Sequence, residues 1–260
     1  MTTGATWTDS SAQVAGVRLN YSRSGKGSPV VVLTHDTGSV DRLPFYDALA
    51  ATNDTVIVHH PGFGKSERPE WMRHPRDAAA MYRWLMADLG IANASLVGLG
   101  FGGWVAAEMA SQGPADFARL VLVGAMGIKP PEGDIMDQAL VSYIDYAKAG
   151  FHDEAAFKSV YGDISTDQLE IWDICREMSF RIAWKPYMYN QMLPHLLGGV
   201  RAPALVVHGE HDAIVPVSAS DAYVKALRDA RKEVVAGAGH CVEMEKPALL
   251  AGMIQKFING

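Results

Sequence analysis

The sequence predicts an α/β fold, a mostly parallel sheet with helices on both faces, and three observations carry that prediction. Apolar runs of strand length alternate with segments of helix length along most of the chain. A glycine-rich turn at residues 98–103 joins one of those runs directly to a helix. The alternation then stops between residues 128 and 199, where no strand-like run occurs and aromatic and methionine residues accumulate.

Taken in order, residues 17–23 alternate in character and read as an entry strand, with a turn at 25–27. Strand-like runs follow at 30–34, 55–59, 94–98, 120–124, 204–208 and 232–235. Helices are predicted between them at 41–51, 76–89, 102–112, 218–227 and 247–258. In the second of these, Tyr82, Leu85, Met86 and Leu89 recur at helical spacing and define one buried face. Residues 128–199 read as a helical insertion over one end of the sheet. Its aromatics, among them Tyr143, Tyr146, Phe157, Trp172 and Phe180, are core-forming by type. The domain organisation is therefore a core of residues 1–127 and 200–260 with the insertion at 128–199.

Composition bounds the function. The 260 residues are about 1.7 times the usual domain length, which suits one domain with an insertion. With 48% hydrophobic and 20% charged residues the chain can build a full core. Lys+Arg 23 against Asp+Glu 29 gives −6, so there is no basic field for nucleic acid or an anionic lipid surface. The longest apolar runs fall far short of the roughly 18 residues of a membrane span, and no signal peptide is visible in the first nine residues. Two cysteines, Cys175 and Cys241, are too few for a disulfide framework or a paired-cysteine metal site. The expectation is a cytoplasmic protein with a small-molecule substrate, no cofactor and no metal; the oligomeric state is not legible.

The turn Gly98-Leu-Gly-Phe-Gly-Gly103 admits two chemistries. As Gly98-x-Gly100-x-x-Gly103 it has dinucleotide-fingerprint spacing. That fingerprint needs an acidic residue at the end of the next strand, and residues 122–125 are Leu-Val-Gly-Ala. As Gly98-x-Gly100-x-Gly102 it is a nucleophile elbow, a tight strand-to-helix turn that lifts its middle residue above the sheet. Two further features support the elbow. Gly209-Glu-His-Asp212 places a carboxylate after the next-to-last strand, and Gly237-Ala-Gly-His240 places an imidazole after the last.

Elbow, acid and histidine in this order resemble the α/β-hydrolase fold family over nearly the whole chain. His35-Asp-Thr-Gly38 resembles its oxyanion loop, and Pro61-Gly-Phe-Gly-Lys-Ser66 its next strand-end turn. The resemblance implies that residues 128–199 are the cap shaping the substrate pocket. It also implies an oxyanion hole of the Thr37 and Phe101 backbone N–H groups. His240, held in one tautomer by Asp212, would be a base or acid near neutral pH.

Two positions depart from that pattern. Position 100, the nucleophile position, is glycine, so the acyl-enzyme route of a Ser-His-Asp triad is closed to this chain. Position 36 is aspartate where the family usually has glycine; Asp36 could act as an acid or base, or stabilise its loop by an Asx turn. Cys241 adjoins the histidine but would point elsewhere, and Cys175 reads as a small core residue. Trp184 and Tyr187, near the end of the insertion, are candidate pocket residues or cap packing. His59-His60, with His35 and Asp36 near, invites a metal reading, but adjacent histidines on a strand point to opposite faces.

Three functions fit. One is a serine hydrolase of a small, largely apolar ester, lactone or ketone-type substrate whose serine has been replaced by Gly100. Another is a native nucleophile-less lyase, decarboxylase or cyclase with His240 as general base, for which methylketone synthases in the same family are a precedent. The third is a non-catalytic ligand-binding member.

Overall fold

The computed structural model describes residues 5–38, 40 and 42–260. Eight strands form one sheet: β1 Thr8–Val14, β2 Val17–Ser24, β3 Pro29–Leu33, β4 Asp54–Val58, β5 Ser95–Leu99, β6 Arg119–Val123, β7 Ala204–Gly209 and β8 Ala230–Val235. Their order is β1-β2-β4-β3-β5-β6-β7-β8, with β1 and β2 antiparallel and β3 to β8 parallel. The predicted α/β class is thus the observed one. β1 is an addition to the predicted strands. It is an edge strand rich in Ser, Asp and Gln with only Val14 buried, so no apolar run marks it. Its two-residue turn, Ala15 and Gly16 at φ 50 and 82, pairs Val14 with Val17.

The interior strands are continuous apolar runs because both faces are covered. Val30, Val32, Val97, Val121 and Val207 pack into one core with α1 Pro44–Ala50 and the C-terminal α10 Pro247–Asn259. Val31, Leu33, Leu96, Leu122 and Val206 pack into the other with α2 Pro75–Asp88 and α3 Phe101–Gln112. α1 opens on Pro44; Asp41, where the sequence starts this helix, lies outside the described residues. α2 starts one residue earlier than predicted. His74 accepts from the Arg76 N–H, and the Asp77 side chain returns to the His74 N–H, closing a capping box.

Between β6 and β7 the regular structure is helical apart from a bridge of Gly127 with Tyr189: a 3₁₀ turn Gln138–Leu140, then α4 Tyr143–Ala149, α5 Glu154–Tyr161, α6 Thr166–Ala183, the short α7 Leu193–Leu196 and a 3₁₀ turn Leu197–Gly199. α4, α5 and α6 start at Ser142, Asp153 and Ser165, whose side chains accept from backbone N–H groups of the first turn. α8 Ser218–Ala226 and α9 Val242–Glu245 complete the fold. Among the described residues no helix is long and apolar enough to cross a membrane.

Candidate functional site

The elbow is built by close packing. A Cβ on Gly102 would lie 2.2 Å from the Leu33 carbonyl oxygen, and one on Gly98 would lie 2.5 Å from Gly103 Cα. These glycines let α3 sit against the ends of β3 and β5. Close contact with protein backbone therefore explains them without a phosphate. The Gly102 N–H donates to the Thr34 carbonyl at 2.9 Å, which ties the loop after β3 to the start of α3. Gly100 turns the corner at φ 53, ψ −113, a conformation that disfavours side chains.

The predicted dyad forms. His240 Nδ1 donates to Asp212 Oδ2 at 2.8 Å. Asp212 is fixed from its other side, where Oδ1 accepts from the Ile214 and Val215 N–H groups at 2.9 and 2.8 Å. His208 Nε2 stands 3.3 Å from Asp212 Oδ2. Its own bonds, to the Val215 carbonyl at 2.9 Å and the Ser220 hydroxyl at 2.7 Å, orient that ring. Burial disfavours the carboxylate of Asp212, but the charge and hydrogen bond of His240, then His208 and the Val215 N–H, outweigh it and lower its pKa. Burial would likewise lower the His240 pKa; the Asp212 charge and hydrogen bond, with Asp36 and Glu243, reverse this and raise it above 6.5.

A second imidazole–carboxylate pair faces the first. His35, at the end of β3, donates from Nε2 to Glu243 Oε1 at 3.1 Å, both side chains fully buried. The two rings are 4.9 Å apart at 57°. A Cβ on Gly100 would lie 2.4 Å from His35 Nδ1 and 2.8 Å from His240 Nε2. Any side chain at position 100 would therefore meet both imidazoles. Sequence reasoning singled out His35 as part of a loop motif and as a neighbour in the metal reading of His59-His60, and passed over Glu243. A charged residue between Val242 and Met244 on a buried turn was the available signal.

Asp36 is buried and turned toward the insertion, where its Oδ2 accepts from the Tyr146 hydroxyl at 2.7 Å and from the Gln138 side-chain amide. Gln138 is in turn fixed by Tyr187, whose hydroxyl accepts from the Gln138 N–H at 2.9 Å and donates to the Met136 carbonyl at 3.0 Å. Tyr187 thus supports Asp36 at one remove. Trp184 is 50% exposed and packs edge-on against Phe180 and Tyr187. Neither Trp184 nor Tyr187 borders the small cavity of about 10 Å³ that lies among His35, Asp36, Thr37, Tyr146, His240 and Cys241. Thr37 does border it, and Phe101 begins α3 immediately after Gly100. A larger cavity of about 310 Å³, bordered by Thr34, Gly38, Phe63, Ile171 and Ile174, opens between the strand ends and α6.

The remaining candidates resolve into structural roles. His60 is buried and bonded at both nitrogens, to the Thr34 carbonyl at 2.8 Å and the Tyr82 hydroxyl at 2.5 Å, and burial depresses its pKa to about 4. Both thiols are free and buried, with burial pushing Cys175 up to about 12 and Cys241 well above its usual value. Neither is a reactive thiolate. Among the described residues two groups of buried side chains have metal-ligand spacing: His35, Asp36 and His240, and His35, Cys241 and Glu243, with ligand atoms within 4.8 Å of one another.

Residues 31–253 match the alpha/beta hydrolase family. The chain is 25% identical over 268 residues to a 2-hydroxymuconate semialdehyde hydrolase of Pseudomonas sp. (strain CF600), covering 94% of this chain and 91% of that one. It is 29% identical over 260 residues to polyketide synthase ThaQ of Burkholderia thailandensis, covering 91% of this chain and 12% of the synthase. Among solved structures, a bacterial membrane phospholipase A superposes with a TM-score of 0.83 at 21% identity, covering 98% of this chain and 86% of that one.

Proposed function

The chain belongs to the alpha/beta hydrolase family, and on that premise we propose that it hydrolyses a small, largely apolar ester, lactone or ketone-type substrate by direct attack of water. The water stands where the nucleophilic side chain would be, and no covalent enzyme intermediate forms. One observation carries this reading. The site over Gly100 is bounded by two imidazole nitrogens at 2.4 and 2.8 Å from the position a Cβ would take, so it suits a small group and crowds a serine.

The electron-rich groups that activate water are His240, oriented by Asp212, and His35, oriented by Glu243. The backbone N–H groups of Thr37 and Phe101 stabilise the oxyanion that forms when water adds to the carbonyl, where one such donor is typically worth about 3 kcal/mol. Residues 128–199 act as the cap. Through Gln138 and Tyr146 they hold Asp36, and a cavity of about 310 Å³ under α6, bordered by Thr34 and Gly38 but not by His35, Asp36 or His240, has room for a small substrate next to residues 35–37. That a relative matched over most of its length is named a hydrolase of a semialdehyde supports hydrolysis as the reaction class and a carbonyl compound as substrate. The two free, buried thiols are in keeping with a reducing compartment.

The test is turnover of short p-nitrophenyl esters in ¹⁸O-water, with intact-protein mass followed during the reaction. The reading expects one ¹⁸O in the released acid, no mass adduct, no labelling by a fluorophosphonate, and loss of turnover in His240→Ala. An acyl adduct on the wild-type chain overturns it. So does a Gly100→Ser variant that gains both ester hydrolysis and fluorophosphonate labelling, which would mark the scaffold as a serine hydrolase lacking only its serine. Consumption of a substrate without ¹⁸O incorporation would assign the site to lyase chemistry.

A further inference from the structure

Two buried nitrogen atoms face one space with nothing to bond between them. A carboxylate only accepts, so in the neutral rings His240 carries its proton on Nδ1 toward Asp212 and His35 carries its proton on Nε2 toward Glu243. Each ring then turns a lone pair inward. Among the described residues His240 Nε2 and His35 Nδ1 have no hydrogen-bond partner, although both rings are at least 98% buried. Two inward lone pairs in one buried space, with no donor for either among the described residues, suit an electrophile.

We propose that His35 Nδ1, His240 Nε2 and a carboxylate oxygen of Asp36 bind one divalent transition-metal ion of the zinc class in the space above Gly100. Three independent features point there. One ligand atom from each of the three residues lies within 4.8 Å of the other two. The Cβ position of Gly100 is already 2.4 and 2.8 Å from the two nitrogens. That position lies one C–C bond from Gly100 Cα, so it marks the side on which both nitrogens converge and not the ion's own place, which lies further out between them at the roughly 2.0–2.1 Å of a zinc–imidazole bond. Each ligating ring also has a carboxylate behind it, and Asp36 has Tyr146 and Gln138, which is the arrangement that fixes tautomer and raises ligand basicity at metal sites.

The donor set selects the ion. Two imidazoles and one carboxylate favour zinc, cobalt(II) or iron(II) over magnesium or calcium, which take oxygen ligands. Three protein ligands leave a coordination position open for water, and an ion there lowers the pKa of that water toward neutrality. The inference rests on the preceding reading only in placing activated water over Gly100; it adds the group that acidifies the water. It also gives glycine a reason at position 100, because any side chain would enter the ion's place. The sequence expectation of no metal rests on the two cysteines and on the opposed faces of His59-His60, with His35 and Asp36 near; His60 is committed elsewhere. The pair His35 and His240 comes together only in the folded chain.

The experiment uses the full chain, stripped with a chelator and then dialysed against zinc or cobalt(II). Expected are one equivalent of zinc by elemental analysis, a raised melting temperature in the loaded form, and a cobalt(II) absorption band of a four- or five-coordinate site. His35→Ala and His240→Ala each lose the equivalent and the band. Glu243→Gln and Asp212→Asn weaken binding about 10–100-fold. Gly100→Ala, which keeps every proposed ligand, loses the ion because its methyl group takes the space. Cys241→Ser, which removes the ligand of the alternative grouping, and His211→Ala, which breaks the stacked surface pair with His152, keep full stoichiometry. The proposal is overturned if the folded wild-type chain takes up no zinc, if His35→Ala, folded by circular dichroism, still holds a full equivalent, or if uptake is lost in Cys241→Ser or His211→Ala. These readouts need no turnover. A failed metal site leaves metal-free water attack standing, and an acyl adduct leaves the metal site standing.

Discussion

Two imidazole–carboxylate pairs meet across Gly100, and they are not built alike. In Asp212–His240 the carboxylate is bonded on both oxygens, by His240 and by the Ile214 and Val215 N–H groups. In Glu243–His35 one glutamate oxygen bonds the ring and the other, Oε2, is buried with no partner among the described residues. The first pair is held by a turn whose backbone was made to hold it, so its geometry survives without any ligand. Oε2 of the second has no such backbone donor among the described residues. A buried carboxylate with a spare oxygen is costly in isolation.

The comparison breaks most visibly at the first pair. Removing the ring in His240→Ala should lower ester turnover by about 10³-fold or more, since it takes away a group placed at the reacting water. Steady-state rates on a p-nitrophenyl ester, with circular dichroism to show that the chain is folded, measure this. If the variant retains more than about a tenth of wild-type activity, the first pair is not part of the chemistry.

The second pair should be weaker but not silent. Glu243→Gln keeps the size of the side chain and removes its charge, and a loss of about 10–100-fold in turnover is expected, the usual cost of an outer carboxylate behind a working imidazole. Asp212→Asn, measured beside it, should cost more, because the Ile214 and Val215 N–H groups would hold the amide oxygen and leave the amide NH2 facing His240 Nδ1, which reverses the ring's tautomer. Equal losses would mean that the two pairs are interchangeable, and no loss in Glu243→Gln would reduce His35 to a packing residue.

How much of this could be read from the chain divides along the same line. Asp212 and His240 each end a loop after a strand, and the order elbow, acid, histidine is a linear pattern, so both were legible. The parallel strands were legible for a similar reason: Val30 to Leu33 and Leu120 to Val123 are apolar without interruption because both their faces are covered. β1 was not, since an edge strand of Ser, Asp and Gln carries no apolar signal. Glu243 and Tyr146 were not legible as site residues either. Their partners, His35 and Asp36, are 208 and 110 positions away, and only the packing of α9 and α4 against the end of β3 brings them together. Trp184, which the sequence leaves open between pocket lining and cap packing, is 50% exposed, packs on Phe180 and Tyr187 and does not border the small cavity.

Gly100 sharpens the comparison from the centre. Gly100→Ala puts a methyl group 2.4 Å from His35 Nδ1, a ring anchored by Glu243 and unable to yield cheaply. It also asks an L-residue to hold φ 53, ψ −113. Together these should cost about 2 kcal/mol of stability, read as a lower urea midpoint. Because the crowding falls harder on the second pair than on the first, where the contact is 2.8 Å, adding Glu243→Gln should recover part of the loss by letting His35 swing away. Strict additivity of the two substitutions would show that Gly100 and the second pair are uncoupled.

The smallest effect expected lies just outside both pairs, and it separates a structural histidine from the two at the site. His60 titrates near 4 in the folded chain against 6.5 when unfolded, because burial disfavours its charged form. Below pH 6.5 the unfolded chain binds a proton that the folded chain refuses. Its contribution to stability is therefore full above 6.5 and declines as pH falls toward 4. Between pH 6.5 and 5.5 the decline should be about 1 kcal/mol. Urea midpoints across that interval should fall less steeply in His60→Gln, which no longer titrates and can still donate to the Thr34 carbonyl. An unchanged slope would assign the acid sensitivity to other groups and leave the neutral, doubly bonded His60 without thermodynamic consequence.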